Sequence, residues 1–93
     1  MTDIEVTTTE GDDQYEFVVT VAKGSGETRH RVTLKKSDFQ DLVGGKVSAE
    51  ALVEESFRFL LEREPKESIL RSFDLMVIGH YFPQYRREIV KRL

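Results

Sequence analysis

Hydrophobic and polar residues alternate along the first third of the chain. The alternation covers residues 4–8, 15–21 and 30–34, and each stretch is rich in β-branched or aromatic side chains. A period of two with this composition is typical of half-buried β-strands. Glycine-containing polar segments, residues 10–13 and 23–26, separate the three stretches and indicate turns. The pattern therefore predicts a three-stranded antiparallel meander over residues 1–34.

The turns also predict a strand register. If both are four-residue loops, Phe17 faces Val32 in the second hairpin and Val6 in the first. Both hairpins then place their apolar residues on one face of the sheet, which a slip of one residue would reverse. The predicted inner rows are Ile4–Val19–His30, Val6–Phe17–Val32 and Thr8–Tyr15–Leu34. The predicted outer rows are Asp3–Thr20–Arg29, Glu5–Val18–Arg31 and Thr7–Glu16–Thr33.

The remainder of the chain, residues 37–93, shows helical periodicity. Ser37 and Gln40 match a capping box for a first short helix, which Gly44 is placed to end. Ser48 is a candidate N-cap for a longer second helix that runs to about Glu64. Its apolar face is wide, which indicates a central helix with neighbours on two sides.

Two prolines divide the last third of the chain. Pro65 is predicted to end the second helix and to begin another, with Ile69, Leu70 and Phe73 on its inner face. Asp74 is predicted to cap residues 75–81, and Pro83 to open a terminal helix. The fold class predicted is α+β, a βββααα(α) chain forming one domain over residues 1–93. Residues 1–34 form the meander, and residues 37–93 form a helical part packed on one sheet face.

Composition excludes several classes of protein. The chain has no cysteine, so a disulfide framework, a thiolate metal site and a cysteine nucleophile are absent. The acidic N-terminus does not resemble a signal peptide, and apolar runs of four residues are far shorter than a membrane span. We therefore expect a cytoplasmic protein without a membrane segment.

The formal net charge of −3 hides an asymmetry. Residues 1–22 contain six acidic and no basic residues, whereas residues 81–93 carry a net charge of +3. The segment from Tyr81 to Arg87 mixes aromatic and basic side chains, as nucleic-acid contacts often do. A helical wheel places Tyr85 with Ile89, as core residues would be, so core and contact surface both remain open. The predicted partner surface consists of Tyr81, Phe82, Tyr85, Arg86 and Arg87, and a basic edge consists of Arg29 and Arg31.

Catalytic patterns are weak. The two histidines lack the spacing of metal ligands, and His80 has no carboxylate at helical spacing. His30 falls on the apolar face of the third strand, where a structural hydrogen bond is the simpler interpretation. We therefore predict no catalytic, cofactor or metal site and no cofactor.

One part of the chain resembles a known group of proteins. The run from Leu52 to Leu75, with the segments Glu-Pro-Lys-Glu-Ser-Ile-Leu and Phe-Asp-Leu, continues to Tyr-Phe-Pro at residues 81–83. It is similar to a stretch in a family of small uncharacterised bacterial proteins. The resemblance covers about a third of the chain and implies a bacterial cytoplasmic origin, without an activity or ligand.

Three functions are compatible with these features. The favoured one is a non-catalytic protein-interaction or accessory module, with an unknown protein partner. The alternative is a nucleic-acid-binding regulator, which requires Arg29, Arg31, Arg86, Arg87 and Lys91 to converge on one face. A small enzyme would require a deep pocket that joins His80 to Asp74 or to a tyrosine. Each function is compatible with a monomer or a homodimer.

Overall fold

The computed structural model describes residues 2–93 and has the predicted α+β architecture. Three strands come first, followed by two helices and then by shorter elements. The elements are β1 (Thr2–Glu10), β2 (Gln14–Lys23), β3 (Gly26–Lys35), α1 (Lys36–Val43), α2 (Ala49–Leu61), a 3₁₀ turn (Lys66–Ser68), β4 (Ser72–Asp74), a second 3₁₀ turn (Leu75–Val77), α3 (Ile78–Tyr81) and α4 (Tyr85–Arg92).

The sheet has four strands rather than the predicted three. Their order is β1-β2-β3-β4; the first three are antiparallel, and β4 lies parallel to β3, so that the sheet is mixed. β4 pairs through three residues only, with Phe73 opposite Val32. The helix predicted after Pro65 is wrong, because residues 72–74 form this strand. A strand of three residues is too short to show a detectable alternation of apolar and polar residues. The part predicted as helical, residues 37–93, contributes a strand to the sheet.

The predicted register between β2 and β3 is confirmed. Phe17 lies opposite Val32, and Val19 lies opposite His30. The ladder continues further than predicted, because only residues 24–25 form the turn. Gly24 has a φ angle of 62°, a conformation that glycine adopts without steric cost. A two-residue turn with glycine in its first position suits the twist of a hairpin.

The predicted register between β1 and β2 is wrong by two residues. Val6 lies opposite Val19 rather than Phe17, and Ile4 lies opposite Val21. The turn begins one residue later than predicted, where the Gly11 amide donates to the carbonyl of Gln14 at 2.8 Å. An even slip leaves each side chain on its face, so the hydrophobic pattern fits both registers.

The helices cover one face of the sheet and enclose the core between them. α2 contacts β1 on one side and α4 on the other, as its wide apolar face indicates. The largest fully buried side chains come from both layers: Tyr85, Phe17, Phe57, Phe59, Leu34, Leu52, Leu75, Ile89, His30, Val19, Val21 and Val32. The outer face of the sheet is polar and exposed at Glu5, Glu16, Arg29 and Arg31.

Of the N-terminal caps predicted for the two main helices, the one on α2 is confirmed and the one on α1 is wrong. Ser48 caps α2, because its Oγ accepts from the Ala51 amide at 3.0 Å. The capping box at Ser37 is wrong, since α1 begins at Lys36, directly after β3. The Lys36 amide donates instead to the Asp13 carbonyl at 2.9 Å.

The C-terminal ends of α1 and α2 and the cap at Asp74 agree with the sequence in two of three cases. Gly44 ends α1 with a φ angle of 60°, as predicted. α2 ends at Leu61, before the predicted Glu64. Asp74 caps the second 3₁₀ turn as predicted, because its carboxylate accepts from the Met76 amide at 3.1 Å. The same carboxylate accepts from the Thr33 hydroxyl at 3.0 Å, which links β4 to β3.

Candidate functional site

An apolar groove of about 280 Å³ opens between the end of α2, the segment around β4, and α3. We call it the α2–α3 groove. Its apolar lining includes Leu60, Leu70, Phe73, Val77, Tyr81 and Phe82. The groove combines side chains from three parts of the sequence, and none of these parts could form it alone.

Two large side chains of the α2–α3 groove are exposed to solvent. Leu70 is 46% exposed and Tyr81 is 66% exposed. Isolated exposed apolar residues are common on protein surfaces, but exposed apolar residues that line the same concave site are typical of interaction surfaces. Complete burial of an exposed side chain of this size contributes about 1.5–3 kcal/mol, so covering the exposed part of Leu70 contributes roughly half of that. The groove therefore has an apolar surface that a ligand could cover.

Glu64 supplies the charge of the α2–α3 groove. It lines the groove and is half-buried. None of the ion pairs formed within residues 2–93 includes its carboxylate. A cationic group bound beside the apolar lining would give Glu64 an ionic partner, and an anionic group would be repelled.

One wall of the groove is held by aromatic and ionic contacts. Phe82 packs edge-to-face on Phe59, with ring centroids 5.8 Å apart. The Arg63 guanidinium lies 3.6 Å from the centroid of Phe59 and donates to the Phe59 carbonyl at 2.9 Å. It also donates to the Glu88 carboxylate of α4 at 2.8 Å. These contacts fix the end of α2 against α4 and hold Phe82 in place.

His30 holds the opposite wall from within the core. Its Nδ1 lies 2.8 Å from the carbonyl oxygen of Leu70, which can only accept, so Nδ1 carries the proton. In the neutral ring Nε2 then accepts from the Thr28 hydroxyl at 2.9 Å. Burial lowers the pKa of His30, against the opposing effect of the Leu70 hydrogen bond. The neutral ring thus ties the segment that carries Leu70 to β3.

The predicted partner surface is divided by the structure. Tyr81 and Phe82 line the α2–α3 groove. Tyr85 lies in the core, fully buried, with its hydroxyl 2.6 Å from the Ser56 Oγ. Arg86 and Arg87 are exposed on α4 and are not part of the groove lining. Tyr85 therefore cannot offer its side chain to a partner in this conformation, whereas Tyr81 can.

The basic residues do not converge on one face. Arg29 and Arg31 lie on the outer face of β3, opposite the helices. Arg86 and Arg87 belong to α4, which packs on α2 in the helical layer. The arrangement that nucleic-acid binding would require is not formed by these two pairs.

Sequence analysis missed Glu64 and assigned Leu70 to a buried helix face. Both errors follow from the helix expected after Pro65, in which Leu70 would point inward. The structure instead has an extended segment here, whose Arg71 carbonyl accepts from the Arg31 amide at 2.8 Å. Pro65 was the signal in the sequence, because a proline that ends a helix can be followed by extended chain as well as by another helix.

A second depression of about 280 Å³ lies between the end of α1 and α4. Val90 and Leu93 border it and are 48% and 39% exposed. Asp41 and Lys46 also line it, so that it presents both signs of charge. Val90 matches Leu70 in exposure and therefore offers a control position for experiments on the α2–α3 groove.

Within residues 2–93, no group of three or more His, Cys, Asp or Glu side chains is arranged to hold a metal ion. In the same part of the chain no helix has the length and apolar content that crossing a bilayer requires.

Comparison of the chain with protein-family models, curated proteins and solved structures finds no match. The resemblance to a bacterial family accordingly stays a prediction.

Proposed function

We propose that this chain is a non-catalytic protein-interaction module. Its α2–α3 groove takes an apolar side chain of a partner protein, and Glu64 pairs with a Lys or Arg beside that side chain. The observation that carries the proposal is the exposure of Leu70 and Tyr81 in a groove whose apolar walls are held in place. A rigid groove loses little conformational freedom when it is filled, which favours binding.

The size of the groove limits the affinity. A volume of about 280 Å³ accommodates one or two side chains rather than a large ligand. Burial of one apolar anchor against Leu70 and Tyr81, with one ion pair at Glu64, gives an interaction in the micromolar range or weaker after association costs. We therefore propose a transient partner that docks a short segment.

A selection from random peptides tests this function. Peptides displayed on phage are selected on the immobilised protein, and their affinities are measured in solution by fluorescence anisotropy. We expect the selected peptides to share an apolar anchor with a neighbouring Lys or Arg. Leu70→Ser with Tyr81→Ser should weaken binding at least tenfold, and Glu64→Gln should weaken it less.

The matched control is Val90→Ser, which removes an equally exposed apolar side chain at the second depression. We expect this variant to bind the selected peptides as the unchanged protein does. The proposal is overturned if the double variant at Leu70 and Tyr81 binds them equally well, or if selection yields no common apolar anchor. Circular dichroism of each variant establishes that the loss of binding is not a loss of folding.

A further inference from the structure

β1 is an edge strand with a long free edge. The strand order places it at one end of the sheet, with β2 on one side, and no strand within residues 2–93 pairs with its other side. Its register with β2 is unbroken from Thr2 to Glu10 and contains no bulge. Because the N–H and C=O groups of successive residues point to opposite sides of a strand, about half of the nine residues of β1 direct theirs to the free edge, whereas β4 at the opposite edge has only three residues.

The composition of β1 favours pairing with a further strand. Six of its nine residues are β-branched, and it contains neither proline nor lysine, which protect many edge strands. Its charged residues are Asp3, Glu5 and Glu10, all acidic. The edge therefore carries negative charge, which repels an acidic strand and attracts a basic one.

The two faces of β1 make different demands on an added strand. Asp3 and Glu5 are exposed on the outer face, and neither takes part in an ion pair within residues 2–93. Glu10 differs, because Lys36 binds its carboxylate at 2.7 Å. Ile4 and Val6 are half-buried on the inner face, where they pack against the core. An added strand would place alternate side chains beside the two acids and beside the two apolar residues.

α2 adds a further acid at this edge. The Thr8 hydroxyl on the inner face of β1 donates to the Glu50 carboxylate at 3.1 Å. Carboxylates thus flank the edge from both β1 and α2. The β1–β2 turn extends the negative region with Asp12 and Asp13, which are exposed.

From this arrangement we propose that the free edge of β1 binds an extended segment of another protein by strand addition. The segment has Lys or Arg at alternate positions and apolar residues between them. Its basic side chains pair with Asp3 and Glu5, and its apolar side chains extend the inner face beyond Ile4 and Val6. Backbone hydrogen bonds supply affinity, and the alternation supplies specificity. A second copy of this chain fits less well, because its own β1 brings acidic residues to the same edge.

The probe is a nine-residue peptide with Lys or Arg at alternate positions and Val or Ile between them. A control peptide has the same side chains but carries N-methyl groups on the alternate residues whose N–H groups would face β1, which removes their hydrogen bonds to β1 without changing charge. Affinity is measured by fluorescence anisotropy at 150 mM salt, and hydrogen exchange locates the protected amides. We expect the first peptide to bind and to protect β1, and the N-methylated peptide not to bind measurably.

A matched pair of variants separates local pairing from net charge. Asp3→Asn with Glu5→Gln and Asp12→Asn with Asp13→Asn each remove two negative charges. We expect the first to weaken binding about 2- to 30-fold, from two cross-strand ion pairs, and the second to weaken it less than twofold. Because this peptide also carries apolar side chains beside basic ones, all of these affinities are measured in the Leu70→Ser, Tyr81→Ser double variant, in which binding at the α2–α3 groove is removed and binding at the edge should remain.

Three results would overturn the proposal. One is binding of the N-methylated peptide as tight as that of its parent. Another is an equal loss of affinity in both charge variants. The third is a dimer in sedimentation analysis whose β1 amides are protected without any peptide, because a second copy would then occupy the edge.

Discussion

The buried pair formed by Ser56 and Tyr85 predicts an asymmetric pair of mutational effects. The Ser56 hydroxyl donates to the Leu52 carbonyl at 2.7 Å, so the Tyr85 hydroxyl donates to Ser56 at 2.6 Å. Both side chains are fully buried. Ser56→Ala leaves the Tyr85 hydroxyl without a partner, which costs about 1–3 kcal/mol. Tyr85→Phe removes the donor while Ser56 keeps its bond to Leu52, which costs about 0.5–1.5 kcal/mol.

The double variant measures the coupling between the two groups. The double variant contains no orphaned hydroxyl. Its loss of unfolding free energy should therefore be closer to the loss in Tyr85→Phe than to the sum of the two single losses. Urea unfolding followed by circular dichroism gives the three values. In a chain of 93 residues, 1 kcal/mol corresponds to about 4–8 °C in Tm. Additive losses from the two single variants would refute the hydrogen bond.

Alkaline unfolding is an independent test of the burial of the Tyr85 phenol. Burial raises the pKa of Tyr85 to about 12 from its ordinary value of 10.0. The phenol ionises first in the unfolded chain, so its stabilising contribution is complete below pH 10 and is lost as the pH rises towards 12. The loss amounts to roughly 3 kcal/mol. Tyr85→Phe should remove this part of the pH dependence, and an unchanged profile would show that Tyr85 is accessible.

Further predictions concern the core and the turns. Because burial lowers the pKa of His30, the unfolded chain binds its proton more tightly, and stability should fall as the pH drops below 6.5; His30→Gln should flatten urea midpoints between pH 7.5 and 5.5, and an equally steep fall in that variant would contradict the assignment. Gly44→Ala should lower the free energy of unfolding by about 1–2 kcal/mol, since φ is +60° there, while Gly79→Ala, whose added Cβ meets no atom within 4 Å, should stabilise α3 slightly; equal effects of the two substitutions would contradict the role of backbone conformation at Gly44. Asp74→Ala should cost about 1–2 kcal/mol in chemical unfolding because it removes a cap and a bond to β3, and an unchanged midpoint would contradict that role.

Local rules explain why much of the fold was predictable. The β2–β3 register follows from one short turn and from the alternation of Phe17, Val19, His30 and Val32. The helix cap at Ser48 and the C-terminal glycine at position 44 depend on neighbouring residues, which the sequence displays directly. The two-residue shift in the β1–β2 register could not be predicted from the hydrophobic pattern, because both registers bury the same side chains.

The candidate site depends on contacts between distant residues and was therefore less predictable. β4 exists because residues 70–74 meet β3, through the bonds to His30 and Arg31, and nothing within the segment itself indicates a strand. Tyr81 and Tyr85 are four residues apart, yet α3 ends between them, so one is exposed and the other is buried. The wheel placed Tyr85 correctly beside Ile89, but it could not show where Tyr81 points.

The most direct measurement of the proposed function is an NMR titration of the methyl and aromatic groups of the protein. The ligand is a peptide with one apolar anchor and an adjacent lysine, selected as described above. We expect saturable shifts at Leu70, Val77 and Tyr81, with an affinity that falls in Leu70→Ser. Shifts confined to Val90 and Leu93, or an affinity unchanged in Leu70→Ser, would contradict the proposed function.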